Sequence, residues 1–383
     1  MAGIYIHIPF CSQFCTYCNF YSVKQLGLRD SFIAALEREA QARKDFFKNL
    51  RSSFTTLYIG GGTPSVLLPS QLETLVRSVR GIFDLSGLEE FTIEVNPNDI
   101  TEEYAAFLVR LGVNRVSMGV QSFIDEHLVW MNRRHNAAEG ERAYNILRNA
   151  GISNISLDLI FGYEMLSMEQ WQYNISKAVD LAPEHISAYQ MSIEPGSCLN
   201  VLMRSGEYSV PSQELCEAQY KMLQKILQQA GYEQYEISNF ARAGRYSKHN
   251  SSYWSGVPYL GLGPGAHSYS GEVRFWNNES VKKYSAWYTN SNKNEVADGC
   301  ISSSICGMEQ LSEEDKFNEA IMLGLRRTCG FSLNTLNKEL LPAIKKSLGI
   351  FINKGLLIRE GNTIRIPQDK LFISDSIIRE LFI

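Results

Sequence analysis

The chain has 383 residues, enough for two or three domains at about 150 residues each and for a sizeable core. Its 44% apolar and 20% charged residues, with 28 glycines and 11 prolines, exclude collagen-like, low-complexity and disordered classes. The 37 Lys and Arg against 41 Asp and Glu leave a net charge of −4, and no run approaches the roughly 20 apolar residues of a membrane span, so neither nucleic acid nor a stable membrane span is an expected partner.

The opening stretch, Met1 to Phe10, has neither a basic start nor a long apolar run. It does not read as a secretory signal, and the expected location is cytoplasmic. From residue 3 to about 190 one unit recurs: a β-branched or aromatic run, a loop of Gly, Pro, Asn or Ser, then an amphipathic helical pattern. Strands are predicted over Gly3 to Ile8, Thr55 to Ile59, Glu90 to Val95, Asn114 to Gly119, Ile155 to Phe161 and His185 to Met191. Helices are predicted over Arg29 to Asn49, Pro69 to Phe83, Thr101 to Leu111, Ala137 to Ala150 and Met168 to Ala182. Such alternation implies a parallel sheet.

An open doubly wound sheet and a curled barrel both fit this pattern. Polar residues favour the barrel: Gly60-Gly61-Gly62-Thr63-Pro64, Glu94 with Asn96, Gln121 with Ser122, Asp158 and Gln190 all fall at or just past strand C-termini. In a barrel those ends form one rim, where active sites are built. The expectation is an α/β fold with a partial (β/α)6 barrel over residues 1–200, its open side admitting a large substrate. A flanking segment follows over 201–300, with a long helix in 211–238 and then a glycine-rich, aromatic stretch to Trp276. The likeliest linker is 289–311. In 301–383, helical patterns at Glu313 to Thr328, Ser332 to Leu340 and Leu341 to Lys354 precede a hairpin around Gly361-Asn362, the outline of a winged helix serving as a packing or lid domain.

Eight cysteines are too few for a disulfide scaffold, yet Cys11, Cys15 and Cys18 crowd onto the loop after the first strand. Thiols so placed suit an iron-sulfur cluster or zinc. A structural zinc needs a fourth protein ligand. Asn19, Phe20 and Tyr21 offer none, and His7 lies within the strand. The remaining cysteines are scattered, as small core residues often are. Gly60 to Gly62 can also be a plain tight turn, Glu94 and Asp158 helix caps or ion-pair members, and Arg133 a solvated charge. Those readings do not explain why the polar exceptions gather at strand ends.

C-x3-C-x2-C with an aromatic, Tyr17, before its last cysteine, followed by the glycine turn after the second strand, resembles the radical S-adenosylmethionine (SAM) superfamily. In that family three cysteines hold a 4Fe-4S cluster whose free iron is chelated by SAM, and an electron from the cluster can cleave the sulfonium to release a 5′-deoxyadenosyl radical. The stretches Tyr5 to Cys11, Gly119 to Phe123, Asp158 to Gly162, Ser187 to Gln190 and Tyr235 to Phe240 are similar to the branch containing oxygen-independent coproporphyrinogen III dehydrogenase and the HemW heme chaperones. This resemblance implies metal ligation by Cys11, Cys15 and Cys18, and SAM contacts at Tyr5, Tyr17, Gly61, Gly62, Thr63, Glu94, Gln121, Arg133 and Asp158. The family usually continues Gly-Leu-Pro after the fifth strand, where this chain has Gly162-Tyr163-Glu164-Met165.

Within the branch, the decarboxylating enzyme has a further cysteine two residues after the third ligand and a substantial N-terminal extension. Here Phe20 occupies that position and ten residues precede Cys11. Lys248-His249-Asn250-Ser251-Ser252-Tyr253-Trp254 resembles a heme-binding His-Asn-x-x-Tyr motif, implying that His249 and Tyr253 contact heme and that His249 ligates its iron. His267 in Gly263-Pro264-Gly265-Ala266-His267 is the competing ligand. The expected function is heme chaperoning. The implied partners are a heme or porphyrin ligand, a heme acceptor protein and a small reductant such as a flavodoxin or ferredoxin. Oxidative decarboxylation of coproporphyrinogen III is the alternative.

Overall fold

The computed structural model describes residues 2–48, 54–290 and 305–383. Six strands lie parallel and in chain order: β1 (Ala2–Ile8), β2 (Phe54–Gly61), β3 (Glu90–Val95), β4 (Arg115–Gln121), β5 (Ile155–Phe161) and β6 (His185–Gln190). Helices Arg29–Ala42, Pro69–Ile82, Glu102–Leu111, Ala137–Asn149 and Met168–Leu181 connect them and cover the outer face. The pattern that makes them helices also buries them. In Pro69–Ile82 the buried Leu72, Leu75, Val76 and Val79 recur at helical spacing. Polar caps set the starts: Asn136 with Glu139, and Ser167 with Gln170, form reciprocal capping boxes. Ile4, Ile6 and Ile8 alternate along β1 into a continuous core with Phe32 and Leu36.

The segment expected to flank the barrel extends its sheet at both edges. β7 (Glu233–Gln234) and β8 (Asn239–Ala241) add antiparallel beside β6. On the far side β9 (Tyr259–Leu262) runs parallel to β1, followed by antiparallel β10 (His267–Tyr269), β11 (Val273–Asn277) and β12 (Cys306–Gln310). A hydrogen-bonded sheet of twelve strands results among the described residues. Its edges carry strands of only two to five residues, too short for alternation to mark them. The expected linker 289–311 is corrected accordingly: its last part is β12, paired with β11, while 291–304 lies outside the described residues.

Helix expectations also shift: the first helix ends at Ala42, with turns over 43–48, and Asn49 lies outside the described residues. The long helix is Gln213–Gln229, and the chain turns at Gly231, φ 82°, before β7. The helix expected over Ser332 to Leu340 is absent. In its place stand β13 (Phe331–Ser332) and a single 3-10 turn, because Ser332 Oγ accepts from Asn334 N at 3.3 Å and Thr335 Oγ1 donates to Ser332 O at 2.7 Å, competing with helical bonds. The expected hairpin forms as β14 (Ile358–Glu360) and β15 (Thr363–Arg365), and β13 joins it in a three-stranded sheet beside helices Glu313–Leu325 and Leu341–Asn353.

Candidate functional site

The C-terminal ends of the parallel strands open on a cavity of about 750 Å³. Cys11, Cys15 and Cys18, all free thiols, line it from the loop after β1. That loop is anchored at both sides. Cys11 N donates to Val23 O at 3.0 Å, while Thr16 N donates to Met131 O at 3.1 Å and Thr16 Oγ1 to Trp130 O at 2.9 Å. Asn132 adds two more ties to the loop, accepting from Gln13 Nε2 at its Oδ1 at 2.8 Å and donating through Nδ2 to Phe14 O at 2.7 Å. Burial pushes the Cys18 thiol up to about 11 and raises Cys11 as well.

The glycine turn ending β2 lies against this loop. Gly62 N donates to Ile8 O and Thr63 N to Phe10 O, both at 2.8 Å. A Cβ on Gly62 would stand 2.7 Å from Phe10 O and 2.9 Å from Ile8 O, so only glycine permits the approach. Thr63 Oγ1 sits 3.4 Å from Cys11 Sγ. From β3, Glu94 receives Tyr58 OH at 2.7 Å and Gly61 N at 3.1 Å. From β5, Asp158 receives Ser117 Oγ at 3.1 and 3.0 Å on its two oxygens. Burial pushes the Glu94 carboxyl up to about 7, against the pull of the Tyr58 hydroxyl and with the Asp158 charge adding to the rise. Burial likewise pushes Asp158 up to about 6, against hydrogen bonds from Ser187 and Ser117. Paired carboxyls with raised values, aimed into a cavity, suit a cationic ligand.

Arg133 reaches in from the segment after β4, donating through Nη1 to Cys15 Sγ at 3.3 Å and through Nη2 to Gly119 O at 2.6 Å. Gln121 closes this wall with φ at 68° beside a register shift between Gly119 and Gln121, local strain held at the rim by the surrounding bonds. Tyr17, Gly61, Gly62, Thr63, Glu94, Gln121, Arg133 and Asp158 thus meet the three cysteines around one cavity, joined by Asn96 and Gln190. Ser122 does not: its hydroxyl is buried 3.3 Å from Asn174 Oδ1. The loop that departs from the family pattern turns at Gly162, φ 74°, whose N donates to Gln219 Oε1 at 2.9 Å, and it buries Tyr163 against Trp130.

Three predicted site residues stand elsewhere. Tyr5 and Tyr253 line a second cavity of about 560 Å³ between β1, β9, β10 and the helix Glu313–Leu325. His249 lines neither cavity. Its ring is fully buried, with Nδ1 2.8 Å from Thr56 Oγ1 and Nε2 2.8 Å from Tyr253 OH. His7 is engaged at both nitrogens too, 3.1 Å from Tyr5 OH and 2.9 Å from Tyr21 O.

Sequence reasoning missed Tyr58, Arg115, Ser117 and Tyr189, which also line the first cavity. Arg115 is buried, 1% exposed, and its Nε has no hydrogen-bond partner. The period-2 face that carries Gly119 and Gln121 also carries Arg115 and Ser117, so alternation along β4 held the signal.

Residues 5–176 match the family model described as the Radical SAM superfamily. The chain is 34% identical over 382 residues to the heme chaperone HemW of Bacillus subtilis, covering 97% of each chain. It is 31% identical to HemW of Mycobacterium tuberculosis (strain H37Rv), covering 99% of this chain and 94% of that one. Among solved structures, coproporphyrinogen III oxidase (HemN) from Escherichia coli, a radical SAM enzyme, superposes with a TM-score of 0.82 at 21% identity, over 100% of this chain and 90% of that chain.

Proposed function

The chain belongs to the HemW family of the radical SAM superfamily, and from that premise we propose that it holds a 4Fe-4S cluster on Cys11, Cys15 and Cys18, binds SAM beside it, and takes up heme for delivery to an acceptor protein. The observation that carries this reading is the meeting of three free thiols, the Gly61-Gly62-Thr63 turn and the Glu94 and Asp158 carboxyls around one cavity. Three thiolates leave one iron of a four-iron cluster for an outside ligand. When bound, the cluster supplies an electron that can cleave the sulfonium of SAM.

The chain's own residues do the holding. Arg133 donates through Nη1 to Cys15 Sγ at 3.3 Å, and its buried Nε has no hydrogen-bond partner among the described residues. Glu94 and Asp158 accept from the amine and ribose hydroxyls of SAM, and the glycine turn admits its methionyl part without a Cβ in the way. Electrons come from a small flavodoxin- or ferredoxin-like donor in the cytoplasm. No helix among the described residues is long and apolar enough to cross a membrane. Phe20, where the decarboxylating branch carries a further cysteine, favours heme handling over propionate chemistry.

Anaerobic reconstitution followed by heme titration tests the reading. Expected are iron and sulfide near four per chain, SAM binding that depends on the cluster, stoichiometric heme uptake, and no loss of coproporphyrinogen III when reductant and SAM are added. Tightly held zinc without sulfide, or coproporphyrinogen consumption with release of carbon dioxide, overturns it.

A further inference from the structure

The second cavity is walled by Tyr5, Tyr253, Tyr259 and Tyr269, with His267 at its edge, and it adjoins the first across Asn19 and Phe20, which line both. Its volume of about 560 Å³ lies within the range of roughly 300–1,000 Å³ usual for cofactor-sized ligands. The walls are aromatic and rigid: the rings of Tyr253 and Tyr259 meet edge to face with centroids 4.6 Å apart. Phe20 is 68% exposed, a large apolar side chain left in water at the shared mouth.

Three histidines bear on this region, and hydrogen bonding separates them. His249 and His7 are each engaged at both ring nitrogens. Among the described residues His267 has no hydrogen-bond partner at its ring, which stacks on Trp276 at a 6.0 Å centroid separation, and the residue is exposed. Its backbone is clamped, since a Cβ on Gly261 would stand 2.0 Å from His267 O. The same wall carries Arg274, which gives one donor to Glu319 at 2.6 Å and has others to offer a carboxylate.

We propose that this second cavity is the heme seat and that His267, not His249, ligates the iron. A neutral imidazole with a free lone pair ligates heme iron, tyrosine faces take the macrocycle, and Arg274 takes a propionate. His249 becomes a positioning residue, its Nε2 fixing the Tyr253 hydroxyl in the wall. The seat lies beside the cluster loop and is closed by the helix Glu313–Leu325, which contributes Glu319 and Leu323. This inference rests on the heme-binding reading above.

The test is a titration of the full-length chain with ferric heme, read by Soret position, spin state and affinity. His267→Ala is expected to weaken binding at least about tenfold, to shift the Soret band, and to recover the original spectrum when imidazole is added. His249→Ala is expected to keep the wild-type Soret position. Leu323→Trp, which fills the cavity from the C-terminal side, is expected to lower heme affinity while reconstituted iron content stays the same. If His267→Ala binds heme with the wild-type spectrum and affinity, or if His249→Ala is the variant that shifts the band, the assignment is overturned while the chaperone reading stands. A wild-type chain that takes up no heme removes both.

Discussion

Under the proposed function, the rim thiols hold the cluster and the rim carboxyls bind a cation, and the two respond to different perturbations. Cys15→Ala removes one of three thiols from a loop held by bonds through Thr16, Gln13 and Asn132, so the fold should persist while the cluster is lost. Reconstituted iron falling well below that of the parent, with an unchanged far-ultraviolet circular dichroism spectrum, is the expected result. Burial pushes the Glu94 and Asp158 carboxyls up to about 7 and about 6. Their folded-state values exceed the unfolded carboxyl range of about 4, so between about pH 4 and pH 7 the folded chain holds protons that the unfolded chain has released. Stability of the ligand-free protein therefore falls as pH rises through that window, and denaturant midpoints at pH 5 and pH 8 check the sign. Binding of cationic SAM runs the opposite way. Its affinity should rise from pH 5.5 to pH 7.5, by at most about tenfold per pH unit for each carboxyl that must ionise, and Glu94→Gln should flatten the rise. Glu94 and Asp158 are readable as polar interruptions of apolar strands. Their coupling to Arg115 is not, because burial of the guanidinium depends on strands remote in sequence.

Strand ends and turns decide whether those side chains meet. Gly62 sits where the β2 turn presses on the loop after β1, and a methyl group there meets backbone oxygens that have no freedom to move. Gly62→Ala should cost about 1–3 kcal/mol and displace Thr63 from Cys11. Gly81→Ala, on helix Pro69–Ile82 with open space around its Cβ position, should be neutral or stabilising by up to about 1 kcal/mol. Urea midpoints of the two variants separate a site constraint from a general dislike of alanine. The βα units were legible because each carries its own strand or helix period, and polar caps such as Asn136 with Glu139 mark several helix starts. The segment Ser332–Leu340 misled because Ser332 and Thr335 spend their hydroxyls on nearby backbone, a competition that apolar periodicity ignores.

At the scale of the whole molecule, one buried carboxylate ties the added edge of the sheet to the first helix. Glu39, fully buried, receives Gly263 N at 2.8 Å, Asn277 Nδ2 at 2.7 Å and Tyr284 OH at 2.6 Å, and pairs with Arg43 at 3.2 Å. Breaking such a pair from one side costs about 3–5 kcal/mol. Glu39→Ala should therefore speed amide hydrogen exchange across β9, β10 and β11, which carry one side of the second cavity, more than across β3 and β4. Equal protection in both regions would contradict that role. The parallel βα core, the trio of thiols and the glycine turn were legible before folding was considered, since strand period, helix period and cysteine spacing are local properties of adjacent residues. Chain packing was needed to bring β9 to β12 onto the sheet, to put Arg115 in the first cavity, and to enclose His249 between Thr56 and Tyr253 while leaving His267 exposed. Burial and hydrogen-bond saturation are set by partners tens to hundreds of positions away, and no local pattern records them.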